Sequence, residues 1–124
     1  MEEFNNKIVV GKLLNLEKID LLSNDEKFIS IINSENIKIE KIISTGQITE
    51  KGVWLEQNWD EFVVLISGEA KLSFEGEDEH LKLNIGDYVL IPKNVKHRVE
   101  FTSKEKPTIW LAIHYNFKWI YEKN

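Results

Sequence analysis

From Asn36 onward the chain is a succession of short apolar runs, each closed within a few residues by Gly, Asp, Asn or Pro. Ile37 and Ile39 alternate with Lys38 and Glu40, and 62–66 is continuously apolar. Ala70, Leu72 and Phe74 alternate with Lys71 and Ser73 ahead of a turn at Gly76. Leu81 and Leu83 precede a Gly86-Asp87 turn, and runs at 88–91, 97–101 and 108–114 complete the series. Strands of this length, with side chains alternating between two faces and turn residues between them, fold as an antiparallel sandwich or barrel.

Residues 1–34 read differently. Ile8 to Val10 suits a short strand. Ser23-Asn24-Asp25-Glu26 has the form of a capping box, and Phe28, Ile31 and Ile32 follow at helical spacing, which predicts a short helix. The expected organisation is one domain of 124 residues: a strand and helix preface over 1–34, a barrel over 36–115 and a tail strand over 116–124. In that tail Phe117, Trp119 and Tyr121 occupy alternate positions, so a strand there shows one aromatic face. Packing on the chain's own barrel and packing on a second copy both account for it, and the homodimer is the expected assembly.

Composition narrows the function. The net charge is −5 and Arg98 is the single arginine, so the basic stripe that nucleic acid requires is missing. No window approaches the roughly 18 apolar residues of a membrane span, and the N-terminus shows no apolar secretory region. With no cysteine there is no disulfide, thiolate nucleophile or zinc ribbon, and a cytoplasmic location is expected. The acidic run Glu75, Glu77, Asp78, Glu79 lacks the spacing of a calcium loop and reads as a solvated hairpin tip. No serine elbow or phosphate-cradling glycine loop is present.

Alternation places candidate chemistry indoors. Glu61 shares a strand face with Val63 and Leu65, and His97 shares one with Val99 and Phe101. If those apolar partners line an interior, a carboxylate and an imidazole point inward with them. Each then needs a hydrogen-bond partner or a cation, because a bare buried charge is very unfavourable.

The same residues resemble the two signature motifs of the cupin superfamily. The first motif runs G-x5-H-x-H-x3,4-E-x6-G; Glu61 and Gly68 match its last two fixed positions, while Leu55 and Gln57 stand where the histidines belong. The second runs G-x5-P-x-G-x2-H-x3-N; Gly86, Pro92 and His97 match, Asn94 replaces the second glycine, and Phe101 replaces the asparagine. Asparagine suits a turn that needs positive φ. The resemblance covers about 36–115. It implies an all-β, cupin-type double-stranded β-helix, a jelly-roll barrel, here with a short N-terminal helix.

The resemblance also implies a divalent metal such as Fe, Mn, Ni or Zn, held here by Gln57, Glu61 and His97, with His114 as a further ligand if Trp110, Ala112 and His114 form the inward face of the last strand. A small organic ligand would sit beside the metal, and the family spans dioxygenase, isomerase, lyase and decarboxylase activities. The competing readings are a metal-free cavity in which Gln57, Glu61 and His97 form a hydrogen-bonded cluster for sensing or storing a ligand, and a structural dimer with a residual cavity. Leu55, Trp59, Tyr88 and Trp110 are the candidate ligand-pocket residues, with Trp54 a further aromatic wall. Lys93, Lys96 and Arg98 surround the second motif, where they either draw an anionic substrate to the barrel mouth or, the plainer reading, form a solvated rim. His80 reads as a surface residue beside the acidic tip.

Overall fold

The computed structural model describes residues 7–116. The described residues run through one short helix, α1 (Lys18–Leu22), and eight strands: β1 (Lys27–Asn33), β2 (Ile37–Ser44), β3 (Asp60–Ser67), β4 (Ala70–Phe74), β5 (Leu81–Leu83), β6 (Tyr88–Ile91), β7 (His97–Thr102) and β8 (Thr108–Tyr115). They form two antiparallel sheets, one in the order β1-β2-β8-β3-β6 and the other β5-β4-β7. The crossing order, with β8 inserted between β2 and β3, is that of a jelly roll rather than a meander.

The core lies between the sheets. Val63 and Leu65 of β3 face Ala70 and Leu72 of β4, with Leu83, Ile91, Trp110 and Ala112 completing the buried cluster. In β3 the burial alternates from Asp60 to Leu65, with Glu61, Val63 and Leu65 inward, up to a register shift between Leu65 and Ser67. The Asn94 turn has φ 65°, the left-handed conformation that its motif position demands.

Two expectations for the N-terminal residues fail. Ile8 to Val10 form no strand and are exposed. The segment expected as a helix from Phe28 to Ile32 is β1, pairing antiparallel with β2 through Phe28 and Ile42 and through Ile32 and Ile39. Its run Phe-Ile-Ser-Ile-Ile satisfies helical spacing, yet β-branched residues beside an open strand edge gain a full hydrogen-bond ladder by extending. Ser23 does not cap; its hydroxyl closes a local turn with the backbone of Asp25. The helix lies one turn earlier, where the Glu17 backbone N–H donates to the Asp20 carboxylate at 2.8 Å.

That N-terminal stretch covers the outer face of β2. Lys41, 6% exposed, donates to the carbonyls of Lys12 and Asn15. Asp20 is buried beside Lys27 at 2.6 Å, and the Lys27 ammonium, with the Glu17 N–H, holds its carboxyl below the usual range. Among the described residues no helix is long and apolar enough to cross a membrane. Phe117, Trp119 and Tyr121 lie outside the described residues.

Candidate functional site

Three adjacent strands bring the candidate residues together. In the β3–β8 ladder Glu61 stands directly opposite His114, and Glu40 of β2 lies opposite Ala112 on the far side of β8, diagonal to His114. Directly opposed and diagonal side chains on one face of a sheet are within reach of each other. His97 enters from the second sheet at the start of β7, 7% exposed. Gln57 belongs to no strand. Its segment is tied to β7 by a lone bridge between Leu55 and His97, and the Asn94 N–H donates to the Gln57 carbonyl at 2.6 Å.

Glu61 is the hub. Its Oε1 accepts a hydrogen bond from Gln57 Nε2 at 2.8 Å and lies 3.8 Å from His97 Nε2, while Oε2 lies 3.9 Å from His114 Nε2. The inward parity of Trp110, Ala112 and His114 is the one the structure adopts. His97 Nδ1 lies 3.0 Å from the Val95 carbonyl, which can only accept, so Nδ1 carries a proton, and whenever the ring is neutral Nε2 presents a lone pair toward Glu61. His114 Nε2 lies 3.3 Å from Glu40 Oε1, another acceptor, and so carries the proton in that contact.

These groups line a cavity of about 340 Å³ between the sheets, whose apolar wall includes Leu55, Ile91, Val99 and Trp110. A second chamber of about 360 Å³ adjoins it and shares Glu40, Gln57 and His114 as a common boundary. The candidate pocket residues divide accordingly. Leu55 and Trp110 line the inner cavity. Trp59 lines the outer chamber instead, with the Lys38 ammonium 5.1 Å from its ring. Tyr88 lies on the outside of β6, 63% exposed and stacked on Phe62, because Val89 and Ile91 take the inward positions of that strand.

Phe101 is also turned out. A β-bulge in the β4–β7 ladder leaves Glu100 unpaired, with Leu72 opposite Val99 and Lys71 opposite Phe101. The extra residue reverses the parity, so Thr102 is buried and Phe101 is not. On that outer face the Ser73 hydroxyl and Arg98 hold the Glu100 carboxyl below its usual range. Arg98 donates to the carbonyls of Glu50 at 2.7 Å, Thr49 at 3.1 Å and Val53. Trp54 is packed under that guanidinium, 5.9 Å away, and does not line the inner cavity. Lys96 pairs with Glu75, and His80 lies at the surface, 3.7 Å from Glu100.

Sequence reasoning missed Glu40 and Glu26. Glu40 alternates with isoleucines and reads as the wet side of β2, whereas both faces of that strand are covered: Glu40, Ile42 and Ser44 look toward the cavity and Lys41 and Ile43 lie under the N-terminal segment. Glu26 reads as the last residue of a capping box. Its carboxylate instead accepts from the Ser44 hydroxyl, which accepts from Trp110 Nε1 at 3.0 Å.

The Cupin domain family matches residues 44–114. A crystal structure from Ralstonia eutropha, provisionally named a mannose-6-phosphate isomerase, is 33% identical with a TM-score of 0.83, over 89% of this chain and 100% of that one. An RmlC-like cupin from Methanocaldococcus jannaschii with a double-stranded β-helix fold is 17% identical with a TM-score of 0.60, over 86% and 92% of the two chains. The DMSP lyase of Ruegeria pomeroyi is 17% identical with a TM-score of 0.62, over 73% of this chain and 47% of the lyase. The last two are alike in fold alone. No curated protein matches. The jelly-roll order of the strands, the spacing of Glu61, Gly68, Gly86, Pro92 and His97, and the match over 44–114 agree, and the chain belongs to the cupin family.

Proposed function

We propose that the inner cavity binds a divalent metal ion at Glu61 and a small organic molecule in the apolar space beside it. The observation that carries this reading is the orientation of His97. Its Nδ1 proton is committed to the Val95 carbonyl, so the neutral ring turns a lone pair on Nε2 toward a carboxylate 3.8 Å away, and a cation between them satisfies both. Two ligands about 2.1 Å from a tetrahedral ion sit about 3.4 Å apart, close to the separations of Glu61 from His97 and His114. Among the described residues no group of three or more His, Cys, Asp or Glu stands as a ready-made metal site, so a small inward adjustment accompanies binding.

The donor set is one carboxylate and two imidazoles, which suits Fe, Mn, Ni or Zn. Gln57 adds a carbonyl oxygen once its amide turns, and His114 joins by giving up the Nε2 proton that it donates to Glu40. When bound, the ion supplies Lewis acidity toward an oxygen of the organic molecule. The protein's own part is to hold Glu61 through Gln57, to fix the His97 tautomer through Val95, and to exclude water with Leu55, Ile91, Val99 and Trp110. Isomerase and lyase are the names of relatives, and the same arrangement of Lewis acid and carboxylate serves both types of reaction.

A second reading has support in the 2.8 Å hydrogen bond from Gln57 to Glu61, which satisfies that carboxylate without a metal and leaves a polar cluster for ligand sensing. Protein purified without an affinity tag and incubated in turn with Fe, Mn, Ni and Zn separates the two. Near-stoichiometric metal, lost in Glu61→Ala with His97→Ala, supports the metal centre; no uptake of any of the four assigns the cavity to the metal-free module. A homodimer belongs to this proposal too, with the exposed Tyr88 and Leu90 on the outside of β6 as apolar surface for a second copy and sedimentation velocity as its test.

A further inference from the structure

We propose that the inner cavity selects small organic cations, amines with an apolar body, and rejects phosphate esters; this rests on the ligand-binding reading above and names its substrate class. Four of the residues lining the cavity carry carboxyl groups, Glu26, Glu40, Glu56 and Glu61, and none of them is lysine or arginine. A divalent ion held at Glu61 offsets only half of that formal charge. Apolar walls around carboxylates of one sign concentrate the field inside a cleft and raise the local concentration of the opposite charge.

Each basic group near the cavity is committed elsewhere. Lys41 lies on the other face of β2, bonded to the Lys12 and Asn15 carbonyls, and Lys27 is paired with Asp20. Arg98 grips the carbonyls of Thr49, Glu50 and Val53 on the outside of β7. Lys38 lines the outer chamber, over Trp59. A phosphate in the inner cavity would therefore meet four glutamates beside the two imidazoles, and no lysine or arginine.

The end of the cavity opposite Glu61 has the chemistry that an ammonium needs. Among the described residues Glu26 accepts one side-chain hydrogen bond, from Ser44 to Oε2, which leaves Oε1 available. The Trp110 indole, held by its own bond to Ser44, lines the same space. A carboxylate beside an aromatic ring recognises an ammonium by ion pairing and cation–π attraction together. The neighbouring Phe28 and Ile42 supply the apolar surface for the ligand's body.

The test is calorimetric titration of benzylamine, benzyl alcohol and benzoate, equal in shape and different in charge, into metal-free and zinc-incubated protein, with mannose 6-phosphate as competitor. Benzylamine is expected to bind at least roughly tenfold more tightly than the alcohol, the range of a hydrogen bond to a charged group, and benzoate more weakly than either. Glu26→Gln, whose amide oxygen still accepts from Ser44, should remove most of the amine's advantage and leave the alcohol unchanged. Tightest binding by benzoate, displacement of the amine by mannose 6-phosphate, or no binding of any probe at millimolar concentration overturns the inference. Zinc content measured on the same samples keeps the two proposals apart. Amine preference with no uptake of Fe, Mn, Ni or Zn sinks the metal centre alone, and metal uptake with anion preference sinks the charge selectivity alone.

Discussion

Leu55 and His97 exchange both of their backbone hydrogen bonds, Leu55 N–H to His97 O at 2.8 Å and His97 N–H to Leu55 O at 3.0 Å. The position at which the first motif carries its first histidine is thus bonded directly to the histidine of the second. Through this bridge the irregular segment carrying Gln57 is held at the mouth of the cavity without forming a strand.

The turn at Asn94 fastens the same segment, its N–H donating to the Gln57 carbonyl from a backbone at φ 65°. Asn94→Gly should leave stability within about 0.5 kcal/mol of the parent, whereas Asn94→Val should cost about 2 kcal/mol by placing a β-branched residue in the left-handed region. Urea denaturation measures both. The valine variant should also weaken whatever the cavity binds, since relief of the strain moves the backbone N–H that anchors Gln57.

Gly68 allows β8 to pass against the end of β3. A Cβ there would lie 2.4 Å from Thr108 Oγ1, 2.6 Å from Thr108 Cα and 2.8 Å from the Pro107 carbonyl, at φ +88°. Gly68→Ala should therefore cost roughly 2–5 kcal/mol, strain and overpacking together. Thr108→Ser, which keeps the hydroxyl bonded to the Glu69 backbone, should be milder in the same denaturation series.

Arg98 should prove structural rather than substrate-steering. Its three carbonyl contacts hold the turn at 49–53, so Arg98→Ala should cost about 2 kcal/mol and open that turn to limited proteolysis. Arg98→Lys should recover little, because an ammonium cannot reproduce the fork of the guanidinium. Metal content in both variants should match the parent.

Stability should depend on pH through Asp20. The Lys27 ammonium and the Glu17 N–H lower its carboxyl below the ordinary 3.8, so the folded state holds this proton less tightly than the unfolded chain. The stabilisation is complete above the unfolded value and disappears as pH falls through the lowered folded one. Asp20→Asn should be less stable by about 1–2 kcal/mol at pH 5 to 8, modest because Lys27 is partly exposed, with the gap closing below about pH 4. Urea midpoints across that range give the result, and a constant gap down to pH 2 would remove Asp20 from the acid response.

Much of the site was readable where a strand keeps its period. Glu61 falls on the inward face with Val63 and Leu65 because β3 alternates cleanly there, whereas the parity of His114 stayed open because Ile109, Leu111 and Ile113 make the other face of β8 equally apolar. Phe101 did not follow His97, since the bulge at Glu100 inserts one residue that no pattern of apolar spacing announces. Phe28, Ile31 and Ile32 fit a helix and a strand equally well, and only the open edge of β2 decides between them. Glu40 escaped notice because alternation shows that a strand has two faces, not that both are covered.

β2 is consequently a partition with a tenant on each side. Asn15 and Lys12 lean on it through Lys41, while Glu26, Ser44 and Trp110 form a relay across its end into the interior. Undocking the stretch that carries Lys12 and Asn15 would release one side of that partition and slacken the other. The N-terminal stretch thereby shapes the inner cavity, whose lining it reaches at Glu26.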